Sequence, residues 1–277
     1  MYYPLQIPNI LDKDFFKHVD YQEEIIPELQ DFVICFWQMQ PKIGEEKVVR
    51  DLVLIDGCTE LVISYINKTI SYAAPSMSKT AYDETTPAER SYIGAKLKPG
   101  AFTQLTGLPA TAVDGNYLKL EDIDEYFDSE SLIGLTFEET KTFLKNYMQK
   151  LIQNKKPNEF VKLFDELCNH PPTSAEQLYQ KYHFSPRQCQ RHFIKNFGIT
   201  PQMVLTILRF HFCLNKITAG EVAPNEILDL IQFSDQSHFI REFKKYLGLT
   251  PYEYLKKYQE LKMIGKSPKA SAIAHLS

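Results

Sequence analysis

The feature that most constrains this chain is a residue pattern near its C-terminus that occurs twice, fifty residues apart. The members of the pattern are Arg191, Phe193, Lys195, Gly198, Thr200 and Pro201, which recur as Arg241, Phe243, Lys245, Gly248, Thr250 and Pro251. Further upstream, Glu176 and Leu178 recur as Glu226 and Leu228. An internal repeat of this kind indicates one supersecondary unit that is built twice.

Each copy is predicted to be a short helix, a tight turn and a second helix. In the first copy, residues 174–198, Ser174 is a predicted N-cap for the first helix, and Ser185 followed by Pro186 begins the second. Gly198 is the glycine on which that helix is expected to end. Residues 224–248 repeat the layout. Two short helices joined in this way are typical of a helix-turn-helix.

The second helix of each copy is predicted to have one buried and one exposed face. The buried stripes are Cys189, Phe193 and Phe197 in the first copy and Phe239, Phe243 and Leu247 in the second. The exposed faces then carry Arg187, Gln190, Arg191 and Lys195 in the first copy and Gln236, Ser237, Ile240, Arg241, Lys244 and Lys245 in the second. Arginine and glutamine match the edges of guanine and adenine, and lysine binds phosphates. A solvated charged face is the simpler interpretation of one such helix, but an arginine at the same position in both copies favours DNA.

The stretch FSDQSHFIREFKKYLGLTP, from Phe233 to Pro251, resembles the second helix-turn-helix of the AraC/XylS family of bacterial transcription regulators. The stretch FSPRQCQRHFIKNFGITP, from Phe184 to Pro201, resembles the first helix-turn-helix of that family. The apolar segment from Met203 to Ile217 lies where the family has its connecting helix. The resemblance covers roughly residues 160 to 260, and it implies a regulator that binds promoter or operator DNA and contacts RNA polymerase.

Carried over by position, the resemblance places the base-facing residues at Arg187, Gln190 and Arg191 in the first copy and at Gln236, Ser237 and Arg241 in the second. The full predicted DNA-contact set adds Ser185, Lys195, Ser234, Ile240, Lys244 and Lys245. The chain departs from the family where a glycine usually precedes the turn phenylalanine, because His183 and Gln232 occupy those places. Since glycine allows a positive φ, these turns either strain a non-glycine residue or close differently.

Charge is distributed unevenly along the 277 residues, whose net charge is -4. Residues 1–155 carry 15 Lys and Arg against 24 Asp and Glu, whereas residues 156–262 carry 14 against 11. This segregation suits a DNA-binding domain that follows an acidic sensor domain. We predict a sensor domain over 1–128, a linker over 129–158, the tandem helix-turn-helix domain over 159–262 and a flexible tail over 263–277.

Residues 1–128 are predicted to be mostly β, because Phe32 to Met39, Asp51 to Ile55 and Glu60 to Asn67 are rich in strand-forming residues. Asp56-Gly57 and Pro99-Gly100 are turn signals. The expected fold class is α+β, a barrel-like or sandwich-like sensor domain followed by an all-α domain. Leu54 to Tyr65 and Ile93 to Gly115 resemble a sensor-like domain found ahead of AraC-type DNA-binding domains. Such a domain implies control by a small-molecule effector or a partner, but the sequence does not identify its ligand or pocket.

Phe137 to Gln153 is predicted to be an amphipathic helix with Leu144, Met148, Leu151 and Ile152 on one side. This face could pack on its own sensor domain or form a two-helix dimer seam. The family resemblance favours the seam and hence a homodimer. Asn154 to Asn158, NKKPN, suits a hinge between domains.

Other classes of function find little support in the sequence. The five cysteines are odd in number and widely spaced in apolar stretches, so they are predicted to be reduced core thiols. No metal-binding spacing or catalytic motif occurs, and Asp56 and Glu60 have no catalytic partner, so we expect no enzyme, no cofactor and no metal. Trp37 is expected in the core. No leader and no stretch near the ~20 apolar residues of a membrane span occurs, so the prediction is a cytoplasmic protein that binds no membrane.

Two alternatives to a DNA-binding regulator stay open at the level of sequence. The first is an adaptor or antagonist that retains the fold but engages another protein and binds no specific DNA sequence. The second is a DNA-repair enzyme with an AraC-like module, which would need a reactive cysteine in a methyl-acceptor or metal setting. The basic exposed helices argue against the first, and no such cysteine setting is visible in the sequence.

Overall fold

The computed structural model describes residues 1, 2, 4, 15–42, 49–52, 55–66, 68–75, 83–86, 91–113, 118–220, 226 and 236–263. The strands are β1 (Val19–Glu24), β2 (Val33–Pro41), β3 (Val49–Leu52), β4 (Thr59–Ile66), β5 (Lys68–Pro75), β6 (Asp83–Thr86), β7 (Ser91–Leu97) and β8 (Leu118–Lys119). The helices are α1 (Phe15–His18), α2 (Ala101–Thr106), α3 (Leu120–Ile123), α4 (Phe137–Ile152), α5 (Glu159–Leu167), α6 (Ala175–Lys181), α7 (Pro186–Phe197), α8 (Pro201–Ala219), α9 (Gln236–Leu247) and α10 (Pro251–Met263). Short 3-10 turns lie at Pro27–Leu29, Ala110–Val113 and Glu130–Leu132. Strands therefore precede helices along the chain, which confirms the predicted α+β class.

The N-terminal part consists of antiparallel sheets. One sheet has the strand order β1-β2-β7-β4-β5-β8, and β3 pairs with β6 in a second sheet. Strand β7 lies at the centre, where Ala95 pairs with Phe36 of β2 and with Leu61 of β4. Among the described residues the larger sheet is open and not closed into a barrel, so the sandwich-like alternative describes it better.

Two of the three strand predictions agree with the structure to within a residue or two at each end. Phe32 to Met39 corresponds to β2, and Glu60 to Asn67 corresponds to β4 apart from Asn67, which lies outside the described residues. The third, Asp51 to Ile55, is a strand only as far as Leu52, because the next two residues lie outside the described part of the chain and Ile55 is not in a strand. The turn after them is confirmed, since Gly57 has a φ of 74° and the Asp56 carboxylate accepts a hydrogen bond from the Cys58 amide at 2.8 Å.

Helix α4 packs on the sheet of its own chain. A capping box between Thr136 and Glu139 fixes its start. Its apolar side chains Leu144, Met148 and Ile152 are buried in the core that β2, β4 and β7 form, and Leu151 packs against the same core. The prediction of a dimer seam through these four residues is therefore wrong, because burial against the sheet already removes this face from water. The alternative, packing on the chain's own domain, is the observed arrangement.

Helix α5 belongs to two hydrophobic cores. Val161 is buried with the residues of the sheet and α4, whereas Phe160, Leu163 and Phe164 are buried with α6, α7, α8, α9 and α10. The polar segment before it, predicted to be a hinge, is bound to α2. The Gln104 side-chain amide donates to the Lys156 carbonyl at 2.8 Å, and its oxygen accepts from the Asn158 amide at 2.9 Å. The predicted flexible tail lies outside the described residues except for Met263, the last residue of α10.

Candidate nucleic-acid interface

The first helix-turn-helix comprises α6 and α7, with the predicted ends. Ser174 is the N-cap of α6, and Ser185 begins α7 through a capping box with Gln188. The Ser185 hydroxyl accepts from the Gln188 amide at 3.3 Å and donates to the Gln188 side-chain oxygen at 2.8 Å. Gly198 ends α7 in the left-handed conformation, with a φ of 71°. These local signals explain why the sequence predicted the bounds of α7.

The turn between α6 and α7 contains the predicted departure from glycine. His183 has a φ of 53°, so a non-glycine residue adopts the left-handed conformation. Aromatic packing surrounds the turn, since the ring of His192 stacks on Phe184 at 4.7 Å and on Phe160 at 5.7 Å between centroids. The first of the two sequence-based options, a strained residue in the turn, is therefore the observed one. Gln232, its counterpart in the second copy, lies outside the described residues.

Helix α7 separates its residues into the two predicted faces. Cys189, Phe193 and Phe197 are buried in the helical core. The predicted contact residues Ser185, Arg187, Gln190, Arg191 and Lys195 are all exposed. The exposed side thus carries three cations and several hydrogen-bonding groups without a carboxylate, a set that can donate to base edges and phosphates.

Helix α9 has the same division. Phe239, Phe243 and Leu247 are buried. The predicted contact residues Ser237, Arg241, Lys244 and Lys245 are exposed, and Ile240 is half-buried. Gln236 is the first residue of α9, and Ser234 lies outside the described residues.

The repeat continues into the helices that follow α7 and α9. Thr200 is the N-cap of α8, where its hydroxyl accepts from the Met203 amide at 3.2 Å. Thr250 has the same position before α10, and its hydroxyl accepts from the Glu253 amide at 3.2 Å. The predicted connecting helix is α8, which begins two residues before Met203 and ends at Ala219. Its Arg209, which the sequence analysis did not single out, donates to the Pro172 carbonyl at 2.9 Å and so links α8 to the start of the first unit.

A buried polar cluster lies where the sheet meets the helices. Lys96 Nζ is 2.9 Å from the Asp56 carboxylate and 3.4 Å from Glu60. Burial alone would lower the pKa of Lys96, but the two carboxylates outweigh it and raise that pKa well above its ordinary value. Asp56 and Glu60, for which the sequence offers no catalytic partner, thus share one buried cation. A salt bridge also joins Lys98 to Asp165 of α5.

His211 of α8 faces the same cluster from the helical side. Its Nε2 lies 2.7 Å from the Ile55 carbonyl. Burial lowers the pKa of this imidazole to about 4, although Asp56 opposes the shift. The histidine is therefore neutral near pH 7, with Nε2 as the donor to the carbonyl.

The five cysteines are buried and free, as predicted. Burial is the first cause that raises the pKa of each thiol, to about 11 for Cys189 and about 12 for Cys213. A thiol with a raised pKa is a poor nucleophile at pH 7. Trp37, also expected in the core, is half-buried and stacks on Tyr21 with centroids 6.3 Å apart.

The described residues contain no group of three or more His, Cys, Asp or Glu side chains that could hold a metal ion. In this part of the chain, none of the helices taken singly has the length and apolar composition of a membrane span. One pair of helices has them only when both are counted together, Pro186–Phe197 and Pro201–Ile217, and this pair is bent by 60°.

Two family models match this chain. One is described as a helix-turn-helix domain and matches residues 178–257, and the other is described as a domain of unknown function, DUF6597, and matches residues 26–119. The second match agrees with the two N-terminal segments that resemble a sensor-like domain.

Two curated bacterial relatives match part of the chain. The uncharacterized HTH-type transcriptional regulator YtdP of Bacillus subtilis strain 168 is 22% identical over 129 residues, which are 43% of this chain and 17% of the relative. The ornithine utilization regulator of Pseudomonas aeruginosa is 35% identical over 79 residues, which are 28% of this chain and 23% of the relative. The chain thus spans about a fifth of the length of the curated relatives it matches.

Among solved structures, ToxT from Vibrio cholerae O395 is similar at 13% identity and a TM-score of 0.39, over 87% of this chain and 98% of ToxT. The C-terminal comparison depends instead on the matched residues, their duplicated motif and the two helices that carry it. Residues 178–257 of this chain therefore contain a helix-turn-helix domain of the AraC type, as the sequence resemblance implied.

Proposed function

We propose that this protein is a sequence-specific DNA-binding regulator of transcription whose helices α7 and α9 enter successive major grooves. One observation carries the proposal. Arg191 and Arg241 occupy the same position in the two copies of the repeat, and both are exposed on a helix whose opposite face is buried. An exposed arginine on a recognition helix can donate two parallel hydrogen bonds to guanine.

The charge of the surrounding surface supports this function. Lys195, Lys244 and Lys245 are exposed on the same two helices as the arginines, in positions suited to phosphates. The net charge of residues 156–262 is modest, 14 Lys and Arg against 11 Asp and Glu. Because so small an excess supplies little nonspecific attraction, we infer that base contacts provide much of the affinity.

The length of α8 suits two recognition helices on one face of a duplex. Successive major grooves on one face are separated by about 34 Å, or about 10 bp. Helix α8 has 19 residues, which is roughly 28 Å at the usual rise per residue. A rigid connector of this scale would hold the two reading helices about one turn of DNA apart.

We further propose that the N-terminal domain controls this activity by binding a small-molecule effector or a protein partner. Such a ligand changes DNA binding only if its affinities for two states of the protein differ. We also propose that the protein forms a homodimer, that it contacts RNA polymerase and that it is located in the cytoplasm. Since α4 uses its apolar face within its own chain, a homodimer would need another surface. Sedimentation of the full chain with and without DNA tests the dimer.

The experiment for DNA reading begins with selection of bound sequences from a random duplex library by the full chain. The selected site is then tested intact, with its first half scrambled and with its second half scrambled. Arg191→Ala and Arg241→Ala should each weaken binding to the intact site by ~1–3 kcal/mol and relax base preference in one half only. The matched control is Lys150→Ala, which removes an exposed cation from α4 and should leave affinity unchanged.

Two outcomes would contradict the proposal in different ways. Equal losses on all sequences would show that the arginines bind phosphates and do not read bases. Recovery of no preferred sequence by the wild-type chain would favour the adaptor that retains the fold without specific DNA binding. Footprinting across the genome with and without candidate metabolites would then identify the natural sites and any effector.

A further inference from the structure

The N-terminal domain contacts the first recognition helix at its C-terminal end. The hydroxyl of Thr103, in α2, donates to the carbonyl of Lys195 in α7 at 3.2 Å. The last four carbonyls of a helix have no partner within the helix. Thr103 therefore satisfies one of the free carbonyls of α7, and it does so at a residue whose exposed side chain belongs to the proposed DNA surface.

Close packing supports this hydrogen bond. Gly100, the N-cap of α2, has a φ of 84°, and a Cβ there would lie 3.2 Å from the Phe160 backbone and 3.3 Å from the Phe197 ring. A larger residue at this position would push α2 away from α5 and α7. The 3-10 turn Ala110–Val113 also packs against α7. The start of α2 and this turn thus form a surface against which the first recognition helix lies.

Two salt bridges hold the segment that leads from β7 into α2. Lys98, just after β7, is buried and forms a salt bridge with Asp165 of α5. Two residues earlier, Lys96 pairs with Asp56 inside the sheet domain. A continuous segment from Lys96 to Thr103 therefore connects the buried interior of the N-terminal domain with the last turn of α7.

The second recognition helix is packed differently. Phe243 of α9 contacts Phe210 of α8 at 5.1 Å and Tyr254 of α10 at 6.0 Å between ring centroids. Among the described elements, no part of the sheet domain packs against α9 as extensively as α2 and the 3-10 turn pack against α7. The two helices thus differ in whether the N-terminal domain supports them.

We propose that Thr103 is a positioning residue for the first recognition helix, so that the N-terminal domain acts on the first half of the DNA site and leaves the second half unchanged. This inference rests on the proposed function. A ligand that shifts the segment from Lys96 to Thr103 would change reading by α7 alone. Regulation would then alter the contribution of one half-site and not the affinity for DNA in general.

The test removes the Thr103 hydroxyl and keeps its shape, with Thr103→Val. The matched control is Thr106→Val, because the Thr106 hydroxyl donates within α2 to the Phe102 carbonyl. Thr103→Val should weaken binding to the intact selected site by roughly two- to tenfold, the loss expected for one hydrogen bond. It should bind like wild type when the first half is scrambled, and Thr103→Ser should restore affinity. Equal loss in both halves, or no loss, would overturn the inference.

Hydrogen exchange on the full chain without DNA gives a second readout. In Thr103→Val, the backbone amides of residues 195–199 should exchange faster than in wild type, while those of residues 245–249 should not change. Unchanged exchange at residues 195–199 would refute the positioning role even if the protein bound no DNA. The proposed function fails separately, if the wild-type chain selects no DNA sequence.

Discussion

The two recognition helices carry similar surfaces on different supports. Helices α7 and α9 each bury an aromatic stripe and expose an arginine and lysines at repeated positions. Helix α7 lies against α5 and the N-terminal domain, whereas α9 lies against α8 and α10. Duplication of a sequence therefore preserved the exposed basic face, while the tertiary fold gave each copy its own neighbours.

This difference indicates where control can enter the molecule. A change in the N-terminal domain reaches α7 directly through α2, but it reaches α9 only through the shared helical core. The buried faces, the contact between α8 and the N-terminal domain, the cap of α7 and the proposed phosphate contacts of α7 and α9 can each be altered separately. Their expected effects fall in that order.

The largest effect should come from the aromatic residues that the two copies share. Phe193→Ala and Phe243→Ala should each lower the free energy of unfolding by ~3–5 kcal/mol, because both rings are fully buried. The loss at Phe243 should be at least as large, since it contacts three rings. Urea unfolding measures both, with exposed Tyr252→Ala as the control. A loss below ~1 kcal/mol at either site would show that the two buried stripes do not contribute equally to the hydrophobic core.

The next effect concerns the contact between α8 and the N-terminal domain. The pKa of His211 is about 4 in the folded chain against an ordinary 6.5, so the unfolded chain binds a proton first as pH falls. The folded state, in which His211 is neutral, keeps its full free energy of unfolding above pH 6.5. As pH falls from about 6.5 to 4, that free energy decreases by up to roughly 3 kcal/mol. His211→Gln, which keeps a donor for the Ile55 carbonyl, should flatten the pH dependence of the urea midpoint in that window. Exposed His170→Gln should keep the wild-type profile, and an equally steep profile in His211→Gln would contradict the assignment.

A smaller effect distinguishes the two N-caps of the first unit. Ser185→Ala removes a hydroxyl that accepts from the Gln188 amide, and it should cost ~1 kcal/mol of stability. Ser174→Ala is the matched control, because Ser174 caps α6 without a side-chain hydrogen bond. Thermal unfolding compares the two variants. Equal losses would show that the capping box contributes nothing specific to α7.

The smallest effect should appear in the salt dependence of DNA binding. Lys195→Ala and Lys245→Ala should each reduce the slope of log affinity against log salt by ~0.9, the change expected for one lost phosphate contact. Lys245 also lies 5.7 Å from the centroid of the Tyr246 ring, which holds its ammonium near the helix surface. Titrations at several salt concentrations measure the slopes, with Lys150→Ala as the reference. Unchanged slopes would remove these lysines from the phosphate contacts.

Much of the C-terminal part could be predicted from the sequence because its signals are local. Ser185, Pro186 and Gly198 mark the ends of α7, and the spacing of Cys189 and Phe193 identifies its buried face. Each of these signals acts within a few residues, so the physical cause is contained in a short stretch of chain. The missing glycine left two possibilities for the turn before α7, and the left-handed conformation at His183 is the one that the structure shows.

The sequence did not predict which buried faces meet. The apolar stripe of α4 showed that one face avoids water, but it did not show whether a sheet or a second copy covers that face. The bond from Thr103 to Lys195 joins residues 92 positions apart, and the ion pair of Lys96 with Asp56 joins residues 40 positions apart. Neither pair leaves a periodic or compositional signal.

The sequence by itself thus determined the first helix-turn-helix unit, the second helix of the other copy, the exposure of the arginines on both helices and the change from strands to helices along the chain. The tertiary structure alone decided that α4 covers the sheet, that α5 belongs to two cores and that α2 supports α7. The physical reason is that hydrogen-bonding caps and periodicity specify a helix locally. The choice of a packing partner depends on shape and charge brought together from distant parts of the chain.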